Sequence, residues 1–258
     1  MIRELRIGAV EKFLYDLRED GPVVIPQIDP EDFSQEAEEK LLTELRKEGV
    51  RLISTGGTLV DPIRLNQSIQ LAVKDYDMRV ITYPSESAAL INGVKDRTAI
   101  YWMRILNAAN PYFQTDFFVM NSLFVTKHNV EPIPSDYIFD DRGSTGTAAW
   151  LARAYPVPRD KPQIGLALAV GAQNSGTRVF VVAGGSGAKL PPSTQLLKLI
   201  REKTELFLVA KSGIDTVSKA EEVFAAGADA IHVGKLLEMP SGTEILKKML
   251  KAARKNAK

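Results

Sequence analysis

Three observations predict an α/β fold, a single-domain (β/α)8 TIM barrel over residues 1–258 with an N-terminal capping helix. Eight short apolar runs alternate with longer amphipathic ones. Most of the apolar runs are β-branched or aliphatic and stop at or near Gly, Pro, Asp or Ser. Two segments, E-G-V-R-L-I-S-T-G-G-T at 48–58 and A-G-A-D-A-I-H-V-G-K-L at 226–236, share one helix-to-strand grammar.

In chain order, the helix pattern 2–17 precedes the first strand and is expected to cap the barrel bottom. The strands are expected at 23–29, 50–55, 79–84, 98–106, 136–140, 178–183, 206–211 and 230–234. Helices are expected at 34–48, 65–74, 162–174, 193–203, 218–226 and 243–255. Ser34 lacks the Glu or Gln three residues on that a capping box needs, yet Glu36, Glu38 and Glu39 suit the N-terminal half of a helix. The least regular stretch is 107–153. There N-A-A-N-P-Y-F follows strand four and G-S-T-G-T follows strand five, both on what would be the catalytic face.

Composition excludes several function classes. With 45% hydrophobic and 25% charged residues and a net charge of +1, nothing suggests an electrostatic nucleic-acid binder. There is no cysteine, hence no disulfide or thiolate chemistry, which fits a reducing cytoplasm. The first residues are charged rather than signal-like, and no apolar run approaches a membrane span. Two histidines, His128 and His232, exclude a His-rich metal site. The basic run 247–258 reads first as a solvated final helix, with peripheral contact to an anionic membrane surface as the alternative.

The chemistry concentrates in three strand ends. V-F-V-V-A-G-G-S-G-A-K at 179–189, L-F-L-V-A-K-S-G at 206–213 and A-I-H-V-G-K at 230–235 each end in small or basic residues. In a barrel these loops lie side by side. Gly185, Ser186, Gly187, Ser212, Gly213 and Gly234 then converge as backbone donors for phosphate, with Lys211 and Lys235 adding charge. Tight turns are the plain alternative. Asp29 and Thr58, at the ends of strands one and two, suit Mg²⁺ held together with water and a second phosphate group; capping roles for both stay open. Arg159-Asp160-Lys161, between prolines, reads mainly as a brace for helix 162–174. Tyr101-Trp102, Tyr112-Phe113 and Phe117-Phe118 read as core, or as an apolar slot for a long hydrophobic substrate.

These residues resemble the geranylgeranylglyceryl phosphate synthase family, the barrel prenyltransferases that include the bacterial PcrB proteins. N-A-A-N-P-Y-F is similar to its L-N-S-x-N-P-Y-W, P-V-P-R-D-K-P-Q-I to its I-P-R-D-K-P-E-I, and I-D-P-E-D to its L-D-P-D-K. T-G-G-T, A-G-G-S-G-A, the turn at 212–214 and A-G-A-D-A-I-H-V-G fall at its spacing. The resemblance implies transfer of a prenyl chain from a polyprenyl diphosphate to a hydroxyl of a small phosphorylated acceptor. It implies Mg²⁺ at Asp29 and Thr58, the acceptor phosphate at the three glycine turns, and a dimer or larger homo-oligomer.

The chain departs from the family where its strand reads Y-L-E before G-S-G, because here those positions are Val181, Val182 and Ala183. The acceptor-binding Tyr and Glu are absent, and Ala cannot take a proton. Lys211 and Lys235 are added cations, and the Lys of the first-strand motif is Asp32. Losing a carboxylate and gaining two ammonium groups shifts local charge by about +3. That predicts an acceptor more anionic than glycerol 1-phosphate, 3-phosphoglycerate being the example that a moenomycin-type relative uses. Asp140 and Asp141 are the expected replacements for the missing base, alongside the substrate's own anionic groups. An isomerase- or aldolase-like phosphate-binding barrel, and a binding protein that has lost catalysis, are the competing readings.

Overall fold

The computed structural model describes residues 7–83 and 93–255, and within them eight parallel strands close into a barrel in sequence order. The strands are β1 (Val23–Ile28), β2 (Leu52–Thr55), β3 (Arg79–Thr82), β4 (Thr98–Ile105), β5 (Glu131–Phe139), β6 (Val179–Ala183), β7 (Phe207–Lys211) and β8 (Ala230–Val233). β8 closes on β1 with Val23 opposite Ala230 and Ile25 opposite His232. Helices α2 (Gln35–Lys47), α3 (Pro62–Gln70), α4 (Asp116–Lys127), α6 (Pro162–Asn174), α7 (Thr194–Lys203), α8 (Val217–Ala225) and α9 (Gly242–Lys255) belong to the outer layer. A short helix, α5 (Gly146–Ala152), follows β5.

The expected barrel and all eight of its strands are present. Helix α1 (Ala9–Glu19) begins later than the periodicity suggests, and residues 2–6 of the expected helix, like Pro84, lie outside the described residues. β5 starts five residues before its expected position because Pro132 and Pro134 disguise it. Pairing with β6 begins only at Ser135–Val179, so both prolines sit where β5 has β4 as its strand partner. Ser34 does cap α2, its hydroxyl accepting from Ala37 N at 3.2 Å, without a reciprocal partner. The pattern expected at 65–74 divides into α3, capped by Asp61, and a π-helical turn over Leu71–Asp75.

Alternation along the strands sorts the apolar residues into two cores. Outward residues such as Ile53, Val80, Phe180, Val182 and Leu208 pack under the helices. Inward ones, including Ile25, Ile81, Tyr101, Val181 and Val209, fill the barrel together with Val10 and Leu14 of α1. α1 therefore plugs the N-terminal end. Glu131 caps it, accepting from Val10 N at 3.0 Å and Glu11 N at 2.7 Å. Glu11, fully buried, takes both Arg178 nitrogens at 2.5 and 2.7 Å and the Tyr15 hydroxyl at 2.7 Å. At the same end Asp229 accepts from Arg18, Arg201 and Leu208 N.

Candidate functional site

A cavity of about 410 Å³ opens at the C-terminal end of the strands. Its wall includes Asp29, Thr58, Ser186, Gly187, Lys211, Ser212, Gly213, Gly234 and Lys235, so two distant groups of expected site residues share one space. Gly185 alone of the set stands behind the wall, packed so closely that a Cβ there would lie 2.8 Å from Ser144 O.

The turns have the geometry a backbone cradle requires. Gly185 and Gly187 have φ of 82° and 81°, and Ser212 and Gly213 follow with 74° and 68°. Gly213 is obligatory, since a Cβ would lie 2.1 Å from Leu190 O in the loop after β6. The 143–147 loop closes over the β6 turn through Ser144 Oγ, which donates to Ser186 O at 2.5 Å, and brings Thr145, Gly146 and Thr147 into the wall. Sequence reasoning marked this loop as a break in the pattern but named none of its residues as site residues.

Asp29 lies against the T-G-G-T turn, where only a residue without a side chain leaves room: a Cβ on Gly57 would lie 2.0 Å from Asp29 Oδ2. The carboxylate also accepts from Glu31 N at 3.3 Å, so the capping alternative holds as well. Burial raises its pKa, with the Glu31 N–H and, more weakly, Lys235 offsetting part of the effect. A half-buried carboxylate held above its usual range is favourably placed for a cation. Among the described residues no group of three or more His, Cys, Asp or Glu gathers to chelate a metal. The donor set, one carboxylate and the Thr58 hydroxyl, suits a magnesium ion that keeps water and takes substrate phosphate oxygens.

Asp140 and Asp141 do not fill the role expected of them. Asp140 is buried, accepts from Arg142 Nε at 2.8 Å and from Ser193 N at 2.7 Å, and is absent from the cavity wall. Asp141 accepts from Gly143 N, its carbonyl accepts from Arg159 Nε at 3.0 Å, and it too lies outside. Their acid oxygens shape loops. Arg159 ties the R-D-K block to the loop after β5 rather than to helix 162–174, whose N-cap residue Lys161 makes no side-chain capping bond. The aromatic pairs resolve mostly as core: Trp102, Tyr112, Phe117 and Phe118 cluster with α4, outside the barrel. Apolar wall is provided instead by Phe33, Leu59, Leu236 and Met239.

The expected charge gain of +3 is smaller in the folded protein. Lys235 is paired with Asp32 at 3.3 Å and Glu238 at 2.9 Å. Lys211 points inward from β7, its Nζ 3.9 Å from the centre of the Tyr83 ring. Burial lowers its pKa to about 7, against a weaker opposing pull from Asp29. Beneath it, His232 bridges Ser54 Oγ at 2.9 Å and the Tyr101 hydroxyl at 3.1 Å. Burial first, and then Lys211, lowers the imidazole pKa and keeps the ring neutral. The Tyr83 hydroxyl is buried and has no hydrogen-bond partner among the described residues. Sequence reasoning missed Tyr83 and His232 as site residues; strand parity is the signal that finds His232, since Ala230, His232 and Gly234 alternate inward.

Comparison with known proteins bears on the family and the fold. The model of the PcrB family matches residues 15–253. The geranylgeranylglyceryl phosphate synthase of Pyrococcus horikoshii is 31% identical, over 97% of this chain and 97% of its own. That of Nitrosopumilus maritimus is 31% identical over 96% and 98%. The crystal structure of (S)-3-O-geranylgeranylglyceryl phosphate synthase from Thermoplasma acidophilum, in complex with substrate sn-glycerol-1-phosphate, has the same fold. Its TM-score is 0.87, at 23% identity, covering 97% of this chain and all of that one.

Proposed function

The chain belongs to the PcrB family, and on that footing we propose that it is a prenyltransferase joining a polyprenyl diphosphate to a hydroxyl of a small phosphorylated three-carbon acceptor as an ether. The observation that carries the reading is the single cavity in which the β6, β7 and β8 turns face Asp29 and Thr58. Backbone N–H groups of Ser186, Gly187, Ser212 and Gly213 hold the acceptor phosphate. Asp29 and Thr58 hold magnesium with the donor diphosphate. Magnesium, when bound, supplies neutralising charge for the departing diphosphate. Phe33, Leu59 and Met239 receive the first part of the prenyl chain and keep water from the allylic carbon.

Glycerol 1-phosphate is the first acceptor in this reading, because Lys235 is already neutralised and the site is less cationic than its sequence. 3-Phosphoglycerate is the second. Incubation with labelled geranylgeranyl diphosphate, each acceptor and Mg²⁺, followed by mass spectrometry, should give a prenyl ether phosphate, abolished by EDTA and restored by Mg²⁺. Tight diphosphate binding without product on either acceptor overturns the reading in favour of a non-catalytic binder. Product that persists unchanged in EDTA removes magnesium from it.

The Lys211 amine above the Ser54–His232–Tyr101 chain favours one alternative, a phosphate-binding barrel acting on a carbonyl through Lys211. Borohydride trapping of dihydroxyacetone phosphate on the protein, in the absence of ether synthesis, would establish it. Two expectations also carry forward: a homo-oligomer, for which Val119, Met120 and Leu123 of α4 offer an exposed apolar face, and action in the cytoplasm. No helix among the described residues is long and apolar enough to cross a membrane.

A further inference from the structure

We propose that Lys211 takes the proton from the acceptor hydroxyl as the ether forms, a role that depends on the prenyltransferase reading above. Ether formation makes a bond between the acceptor oxygen and the allylic carbon. It breaks the bond from that carbon to diphosphate, whose oxygen leaves with the electron pair. The hydroxyl proton needs an acceptor, and Ala183 offers none.

Elimination within the cavity leads to one side chain. Asp32 and Glu238 are paired with Lys235, and Asp215 with Lys219 at 2.7 Å. Both nitrogens of His232 are engaged with Ser54 and Tyr101. Asp29 serves the diphosphate side of the cavity. The Lys211 amine has no ion pair or hydrogen bond to a protein group among the described residues, only the Tyr83 ring face. It is also in the right place, because Ala183 and Lys211 are register partners on adjacent strands, both at the cavity end. The amine thus stands beside the position that the family's Glu occupies.

The surroundings disfavour a permanent ammonium. Around the barrel the titratable groups acting on Lys211 are Asp29 from the end of β1, Tyr83 after β3 and neutral His232 of β8, with Tyr101 of β4 and Tyr137 of β5 in the same interior cluster as Tyr83. β2 and β6 contribute Ser54 and Ala183, which do not titrate. Burial places the amine pKa at about 7, where a free-base nitrogen is available at neutral pH and its ammonium still forms readily. The Tyr83 ring supports the ammonium once the proton has arrived, and the open side of the cavity returns it to solvent.

The test is kcat against pH for ether synthesis by wild type, Lys211→Met and Lys211→Arg. Wild-type kcat should rise through pH 7. Both variants should lose about 100-fold or more in kcat with KM for prenyl diphosphate unchanged, and the rise should vanish. Ethylamine should restore part of the rate to Lys211→Ala. Arginine stays protonated, so wild-type kcat in Lys211→Arg overturns the proposal and makes residue 211 an anion anchor. A wild-type-like pH profile in Lys211→Met overturns it as well. Should the variants fail to fold, pH-dependent reductive methylation of the wild-type protein reads the same amine. Lys211 should label fast near pH 7, and labelling only near pH 10 is incompatible with the role. A wild-type protein making no ether on either acceptor removes the prenyltransferase reading, and the base with it, whatever the methylation profile.

Discussion

The two ends of the barrel interior treat charge in opposite ways. At the N-terminal end, Glu11 meets Arg178 and Tyr15, Glu131 meets the first turn of α1, and Asp229 meets two arginines and a backbone amide. At the C-terminal end, among the described residues, the Lys211 amine has only a ring face and the Tyr83 hydroxyl has no partner, while Asp29 is held above its normal pKa. Both ends are enclosed by the same sheet. The difference teaches where the molecule uses polar groups to hold itself together and where it keeps them available for a ligand.

The contrast breaks first, if it breaks, at Glu11. Glu11→Ala strands the Arg178 guanidinium and should cost about 4 kcal/mol in urea unfolding, while activity per folded molecule stays at wild type. A loss below about 1 kcal/mol would mean that the plug is not a stabilising element.

The second test has the opposite sign. Unfolded lysine holds its proton to about pH 10.4, whereas folded Lys211 releases it near pH 7. Between these values the unfolded chain binds more protons, so the lysine's destabilising contribution is full below pH 7 and fades as pH rises toward 10. Lys211→Met should therefore gain about 2 kcal/mol at pH 6 and nothing near pH 10, by unfolding curves at both pH values. Destabilisation at pH 6 would place Lys211 with the structural charges of the other end.

The smallest effect sharpens the boundary between interior and rim. Lys235 is 59% exposed in its side chain, so Lys235→Ala should change stability by less than about 0.5 kcal/mol despite its two carboxylate partners. A larger loss would make the rim pairs part of the scaffold.

Much of the barrel was legible because helix and strand periods are local, and the turns after β6 and β7 were legible because left-handed backbone calls for glycine at Gly185, Gly187 and Gly213. What escaped has a physical reason. Pro132 and Pro134 hide the start of β5, since their missing N–H groups matter only where a second neighbour strand exists. Asp140 and Asp141 looked free because their nearby partners, Arg142 and Gly143 N, depend on how the loop folds, and Asp140's second partner, Ser193 N, is distant in the chain. Lys235 looked like a free cation, although the Asp32 that replaces the family lysine is one of the groups that neutralise it. The value of Lys211 depends on a ring from β3 and on the emptiness left by Ala183, neither of which a linear motif displays.

One ring has a consequence for the order in which this protein comes into being. His232 belongs to the last strand, and it satisfies Ser54 of β2 and Tyr101 of β4, strands it does not border. On the ribosome, those two hydroxyls and the open edge of β1 wait for the last of the eight barrel strands. The reaction chamber is therefore the final part to assemble, and a nascent chain acquires its substrate site in one step, when β8 arrives, rather than by degrees.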